Sequence, residues 1–194
     1  MGTNKIIGEK IQSIRTSKQL TVEDVAERSG LQVAQIERIE NNEDFPTLAP
    51  LIKIARVLGV RLGTFLDDQT ELGPVVSRKK EMVKNEAIAF TSDDANNKKH
   101  MDYFSLSQDK SGRHMEPFFI HALPVEPGES FEASSHEGEE FIYVLSGVLE
   151  INYGKQTYVL EEGDSIYYDS IVKHHVHAAN AEGAKIIGVV YTPY

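Results

Sequence analysis

The sequence predicts an α+β protein of two domains, an all-α bundle in the first third followed by an all-β barrel. Apolar residues recur at helical spacing between residues 6 and 66, among capping and stop signals. From Met101 onward the pattern changes to short β runs with glycine-rich turns between them, spaced roughly ten residues apart. We expect residues 1–68 to form the helical domain, residues 69–100 a linker and the first barrel strand, and residues 101–194 the barrel.

Composition and charge limit the classes of protein that this chain can belong to. The 194 residues include no cysteine, which excludes a disulfide framework and a thiolate metal site. Residues 1–66 carry nine Lys or Arg and eight Asp or Glu (net +1), whereas residues 67–194 carry eleven and twenty-two (net −11). Only the N-terminal third therefore tolerates phosphate. The apolar runs are too short to span a bilayer and the N-terminus lacks a secretion signal, so we expect a cytoplasmic protein.

Two short helices joined by a glycine turn are predicted within the helical third. A capping-box variant from Thr21 to Asp24 opens a helix over residues 22–28, and Gly30 suits the left-handed cap that ends it. Further helices are predicted over residues 32–40 and 51–58. Such a pair forms a helix-turn-helix, whose second helix enters the major groove of DNA.

The stretch LTVEDVAERSGLQVAQIERIE, followed by LIKIARVLGV, resembles the DNA-binding domain of the phage-repressor or xenobiotic-response-element (XRE) family. The resemblance implies a pair between Arg15 and Glu40, and it implies DNA contacts by Gln32, Val33, Ala34, Gln35 and Arg38. Val33 and Ala34 offer only apolar contacts and Glu37 opposes phosphate, so we expect binding to depend on dimerisation. A helical module that does not touch DNA is the alternative.

Two glycine-opened β segments carry a polar site. His136 and Glu140 lie four residues apart in GESFEASSHEGEEFIYVLSG, and His174 lies in the later segment GDSIYYDSIVKHH. If Gly138 marks a turn between two strands, the side chains of His136 and Glu140 can point to one face, and strand alternation places Ser134 on the same face as His136. With His174 they form two imidazoles and one carboxylate, a set that suits Fe, Mn, Ni or Zn. The alternative is a metal-free cavity in which these groups bind a small polar effector, with Tyr103 at its mouth.

These segments resemble the two motifs of the cupin family. Gly128, His136, Glu140 and Gly147 match the spacing of the first motif, and Ser134 replaces its first histidine. In the second motif only Gly163 and His174 match. The resemblance implies a jelly-roll barrel that keeps three of the four usual metal ligands. His175 and His177 are expected to face outward. Five histidines and two tyrosines outside the motifs are assigned to strand packing or to the surface: His100, His114, His121, His175, His177, Tyr167 and Tyr168.

The whole chain resembles XRE-family regulators with a C-terminal cupin sensor. The resemblance implies a sequence-specific regulator, not an enzyme, that binds double-stranded DNA and a small effector and dimerises through its barrel. The same layout also resembles the fosfomycin-forming epoxidase, an iron enzyme with a site of two histidines and one carboxylate. On that alternative the chain is an Fe(II)-dependent oxidoreductase, assisted by Lys18 and Tyr103.

Overall fold

The computed structural model describes residues 4–44, 46–66, 74–79, 101–108, 110, 112–125, 131 and 133–192. Its helices are α1 (Asn4–Ser17), α2 (Val22–Ser29), α3 (Val33–Glu40), α4 (Leu48–Leu58) and α5 (Gly63–Leu66). Its strands are β1 (Met101–Ser105), β2 (Met115–Ala122), β3 (Glu139–Ser146), β4 (Leu149–Tyr153), β5 (Gln156–Leu160), β6 (Ser165–Asp169), β7 (His174–Ala178) and β8 (Ala184–Tyr191). This order confirms the predicted α+β class. No helix within these ranges is long and apolar enough to cross a membrane.

The turn between α2 and α3 forms where the sequence predicts it. Thr21 Oγ1 accepts a hydrogen bond from the Asp24 backbone N–H at 3.1 Å, and the Asp24 carboxylate accepts one from the Thr21 backbone N–H at 2.8 Å. This reciprocal pair is the predicted capping box. Gly30 ends α2 in the left-handed conformation, with φ of 71°. The two helices therefore form a helix-turn-helix.

Two helix starts differ from the prediction. Gln32 is the N-cap of α3 rather than its first residue. Helix α4 begins at Leu48 rather than Leu51 and includes Pro50. Proline is tolerated there because backbone N–H groups of a first helical turn have no acceptor within the helix.

The core of the helical domain is apolar, and an ion pair lies beside it. Ile11, Ile36 and Leu51 are fully buried where α1, α3 and α4 meet. Beside them, Arg15 binds Glu40 through two bonds, Nε to Oε1 at 2.6 Å and Nη2 to Oε2 at 2.7 Å. Arg15 Nη1 also donates to the carbonyl of Leu20 at 2.9 Å. The predicted pair is confirmed, and it connects α1 to α3.

The strands form two antiparallel sheets, one with the order β1-β2-β8-β3-β6 and one with the order β5-β4-β7. Buried apolar residues alternate along the strands, as Ile142 and Val144 on β3 and Ile186 on β8 show. Alternate residues of each sheet therefore face a shared interior, as in a jelly-roll barrel.

The region between the domains is described only in part. Residues 74–78 form no strand, so the first barrel strand predicted within residues 69–100 is not found there. Apart from Lys79, the rest of that range lies outside the described residues. β1 and β2 contain most of the predicted segments 103–106 and 118–123.

The helical domain contacts the barrel through α4 and the region around α5. Arg56 on α4 pairs with Glu137, the residue after His136, and also donates to the carbonyl of Arg28 at 3.2 Å. Gly63 lies against Glu116 on β2, and a Cβ at this glycine would lie 2.9 Å from Glu116 Oε1. Glycine therefore permits the close approach of α5 to the barrel.

Candidate metal centre and nucleic-acid interface

His136, Glu140 and His174 converge inside the barrel, and we name them the barrel triad. Glu140 lies on β3 and His174 opens β7, whereas His136 precedes β3 and is held by a backbone hydrogen bond of 3.0 Å to the carbonyl of Ser170. Nε2 of His136 lies 2.8 Å from Glu140 Oε1, and Nε2 of His174 lies 3.3 Å from the same oxygen. One ligand atom from each residue lies within 4.8 Å of the other two.

The hydrogen bonds of the two imidazoles favour metal binding. Nδ1 of His136 lies 3.1 Å from the carbonyl oxygen of Glu137, and Nδ1 of His174 lies 2.8 Å from that of Val172. Because a carbonyl only accepts, each Nδ1 carries a proton, and a neutral ring then directs its Nε2 lone pair at the carboxylate. A divalent cation between them, or a proton on each Nε2, relieves that repulsion. The donor set therefore fits Fe, Mn, Ni or Zn.

Two further side chains hold the triad carboxylate. The Tyr168 hydroxyl donates to Glu140 Oε2 at 2.8 Å, and the Ser170 hydroxyl donates to Oε1 at 3.0 Å. Tyr168 packs against the His174 ring as a strand residue does, but its hydroxyl has this second role, which sequence reasoning missed. The only signal was strand alternation on β6, and the pairing of Tyr168 with Glu140 could not be inferred without the strand order.

Burial and charge shift the pKa values of Glu140 and His174 in opposite directions. Burial alone would raise the pKa of Glu140, but hydrogen bonds and charge from His136 and His174 outweigh burial and hold this pKa well below its usual range. Burial lowers the pKa of His174, but the hydrogen bond and charge of Glu140 raise it overall. Burial, with a smaller contribution from the charge of Glu140, raises the pKa of Tyr168 and keeps it a hydrogen-bond donor.

The two predicted effector residues lie beside the triad but outside it. Ser134 pairs with His174 through backbone hydrogen bonds, and its hydroxyl is 3.5 Å from the His174 carbonyl oxygen. Tyr103 packs edge-on against Phe118, and the pKa of its phenol is raised by burial and by the charge of Glu140. Both assignments to effector binding remain predictions.

The other histidines lie apart from the triad or outside the described residues. His175 and His177 lie on the face of β7 opposite His174, as predicted, but they are not fully outward-facing. His177 is buried beside Glu150, at 3.7 Å, and His175 stacks on Phe131 with ring centroids 3.9 Å apart. His114 is exposed and His121 is half-buried on β2. His100 lies outside the described residues.

Helix α3 presents part of its surface to solvent. Ala34, Glu37 and Arg38 are exposed on it, as is its N-cap Gln32. Val33 and Gln35 are half-buried, whereas Ile36 and Ile39 anchor the opposite face in the core. The Arg38 side chain is 48% exposed and lies 3.8 Å from Asp44. This exposed face is the candidate DNA-binding surface, and exposed Glu37 lies within it.

Comparison with known proteins defines the class of each part. Residues 11–65 match the family model for the helix-turn-helix, and residues 123–190 match that for the cupin domain. The chain therefore joins a helix-turn-helix domain of the XRE type to a cupin domain.

Known proteins are similar to this chain over most of its length. An HTH_3 family transcriptional regulator from Vibrio cholerae shares the fold with a TM-score of 0.70 and 23% identity, over 100% of this chain and 98% of that chain. The (S)-2-hydroxypropylphosphonic acid epoxidase of Streptomyces wedmorensis is 27% identical over 155 residues, which cover 74% of this chain and 73% of the relative. A crystal structure of Fe(II) HppE has a TM-score of 0.50 at 23% identity, over 98% of this chain and 100% of that chain. The two structural matches show a shared fold.

Proposed function

We propose that this protein is a homodimeric transcriptional regulator that binds specific DNA sequences and whose barrel binds a small polar effector. One observation carries the proposal: the second helix of a matched helix-turn-helix exposes Ala34 and Arg38, while its other face is buried. A buried triad in the attached barrel supplies a separate polar binding site. Such a protein acts where the DNA is, in the cytoplasm.

The electrostatics support DNA contact through the helical domain alone. Residues 1–66 carry a net charge of +1, whereas residues 67–194 carry −11. The phosphates of DNA are therefore repelled by the barrel domain and tolerated by the helical domain. Arg38 is the side chain on α3 that can donate two hydrogen bonds to a guanine. Because one nearly neutral domain binds weakly, two domains on half-sites about 34 Å apart supply the affinity.

In the barrel, each group has a defined part in holding a ligand. The Nε2 atoms of His136 and His174 and the carboxylate of Glu140 would hold a divalent metal, and Tyr168 and Ser170 orient that carboxylate. When bound, the metal supplies a Lewis-acid position for a polar group of the effector. An effector regulates the protein only if it binds one dimer arrangement more tightly than another.

A gel-shift assay tests the DNA-binding proposal. Operators are first selected from random DNA with the wild-type protein, and Arg38→Ala is then compared with Lys155→Ala, which removes a charge from an exposed turn of the barrel. We expect Arg38→Ala to weaken operator binding by about 1–3 kcal/mol and to relax specificity. Lys155→Ala should bind as wild type does. If no sequence is enriched, or if both variants bind alike, the proposal is wrong.

The second candidate function is a mononuclear iron oxidoreductase, and the triad together with the 27% identity to the epoxidase favours it. On that account the same three residues hold Fe(II), and the helical domain covers the site instead of binding DNA. Metal analysis of the protein purified without oxygen, together with a turnover assay and the operator selection, separates the two accounts. Iron bound in stoichiometric amount, with turnover of a hydroxyphosphonate and no selected operator, would favour the enzyme. If the purified protein binds no iron, the oxidoreductase account is wrong.

A further inference from the structure

The side chain of Arg56 on α4 contacts both the barrel and the helix-turn-helix. Its Nη1 pairs with the carboxylate of Glu137, and its Nη2 donates to the carbonyl of Arg28 at 3.2 Å. Arg28 lies in the last turn of α2, where carbonyl oxygens have no donor within the helix and a nearby cation is favourable. One guanidinium therefore connects the barrel to the end of α2, just before the turn that leads to α3.

The barrel end of this connection lies against the triad. Glu137 follows His136 directly, and its backbone carbonyl accepts the hydrogen bond from Nδ1 of that imidazole at 3.1 Å. The same residue thus holds a triad ring through its backbone and Arg56 through its side chain. We name Glu137, Arg56 and the Arg28 carbonyl the Arg56 link. Its contacts run without interruption from a predicted metal ligand to the helix-turn-helix.

A change at the triad acts on the Arg56 link through His136. Nε2 of His136 lies 2.8 Å from Glu140 Oε1, whereas ligand atoms that share one cation at about 2.0–2.2 Å lie roughly 3.0–3.5 Å apart. The two atoms must therefore separate when both bind one metal ion. Glu140 is held within β3 by the hydroxyls of Tyr168 and Ser170, so the separation falls mainly on His136, which precedes the strand. The hydrogen bond from Nδ1 passes this shift to the backbone of Glu137.

We propose that the Arg56 link transmits occupancy of the triad to the helix-turn-helix. The inference rests on the proposed function and assigns the residues that couple its two sites. Its two states are Arg56 bound to Glu137 and Arg56 released from it. The side chains of Arg56 and Glu137 are 43% and 39% exposed, so the pair can break without leaving a buried charge. A 5-fold change in operator affinity is about 1 kcal/mol, which a single hydrogen-bonded ion pair can supply.

A second arginine contact between the domains provides a matched control. Arg61, which follows α4, donates from Nη1 to the carbonyl of Arg113 at 3.3 Å. Arg113 in turn binds Glu116 on β2 at 2.6 Å. In the sheet, Val190 on β8 separates Glu116 from Glu140. Arg61→Ala therefore removes the same charge and a contact with the same barrel as Arg56→Ala does, but at a position separated from the triad by a strand.

Operator affinity of the full chain, stripped with a chelator and then loaded with Mn(II), tests the inference. Wild type and Arg61→Ala should change their operator dissociation constant by about 5-fold or more on loading. Arg56→Ala and Glu137→Ala should change theirs by less than about 2-fold, because the connection is broken at either end. Equilibrium dialysis should show equal Mn(II) binding by all four proteins, since the carbonyl of Glu137 that holds His136 belongs to the backbone.

The reciprocal measurement supplies an independent readout. Because coupling is symmetric, operator DNA should change the Mn(II) affinity of wild type by the same factor, and this change should be lost in Glu137→Ala. Glu137→Ala leaves Arg56 on α2, so it remains decisive if Arg56→Ala weakens DNA binding by itself. If Glu137→Ala keeps the wild-type response, or Arg61→Ala loses it equally, the Arg56 link is wrong and the regulator stands. If wild type selects no operator, or does not respond to Mn(II), the proposed function fails and the link fails with it.

Discussion

The ion pair between Arg15 and Glu40 leads to a quantitative stability prediction. The side chains of Glu40 and Arg15 are 3% and 13% exposed, so Arg15→Met leaves a carboxylate buried without its cation. Removing one partner of a buried pair costs about 3–5 kcal/mol, and here the hydrogen bond to the Leu20 carbonyl is lost as well. The double variant Arg15→Met, Glu40→Met removes both charges and keeps apolar bulk. It should recover most of the lost free energy of unfolding.

Urea unfolding measures this effect separately in each domain. All eight tyrosines lie at or after Tyr103, so tyrosine fluorescence follows the barrel, while far-UV circular dichroism follows the helices. We expect the helical transition of the single variant to move to lower urea and the barrel transition to change far less. A single variant that loses less than about 1 kcal/mol, or a double variant as unstable as the single, would refute the reasoning.

The remaining predictions concern the triad, the domain contact and the capping box. Tyr168→Phe should weaken metal binding about 10–100-fold in equilibrium dialysis, because the triad carboxylate loses an orienting donor, while Tyr167→Phe on the opposite face should not. Glu137→Gln removes the ion pair with Arg56. The side chains of Glu137 and Arg56 are 39% and 43% exposed, so the free energy of unfolding should fall by less than about 1 kcal/mol. A larger loss would contradict the interpretation of this contact as a surface ion pair. Backbone and side-chain hydrogen bonds from Thr21 lower the pKa of Asp24, so its contribution is present above its ordinary pKa and is lost as pH falls through the lowered value. Asp24→Asn should therefore lower the melting temperature at pH 7, and the difference should shrink as pH falls through that range; a difference that is constant with pH would contradict this.

Local signals predicted the helical domain well. The capping box, the Gly30 cap and the pair between Arg15 and Glu40 depend on residues whose spacing and chemistry act within a few turns. The start of α4 was missed because proline can end one segment or lie in the first turn of the next. The sequence around the proline allows both outcomes. Burial of Leu48 and Ala49 in the core favours a helix that begins before Pro50.

The sequence predicted the short strands of the barrel, but it did not predict which strands pair with each other. A turn at Gly138 was expected to bring His136 and Glu140 to one face, and the structure places His174 beside them. The partners of Glu140 depend on which strands are neighbours, since Tyr168 reaches it across the pair of β3 and β6. Register of this kind is a property of the whole sheet rather than of any one strand.

The central claim is that the occupant of the barrel tunes DNA binding by the helical domain. The most direct measurement is the operator dissociation constant of the full chain, stripped with a chelator and then loaded with Fe(II) or Mn(II), with His174→Ala as the control. We predict a change of about 5-fold or more for wild type and none for His174→Ala. Equal operator affinity for stripped and loaded wild-type protein, with metal binding confirmed by dialysis, would contradict the account.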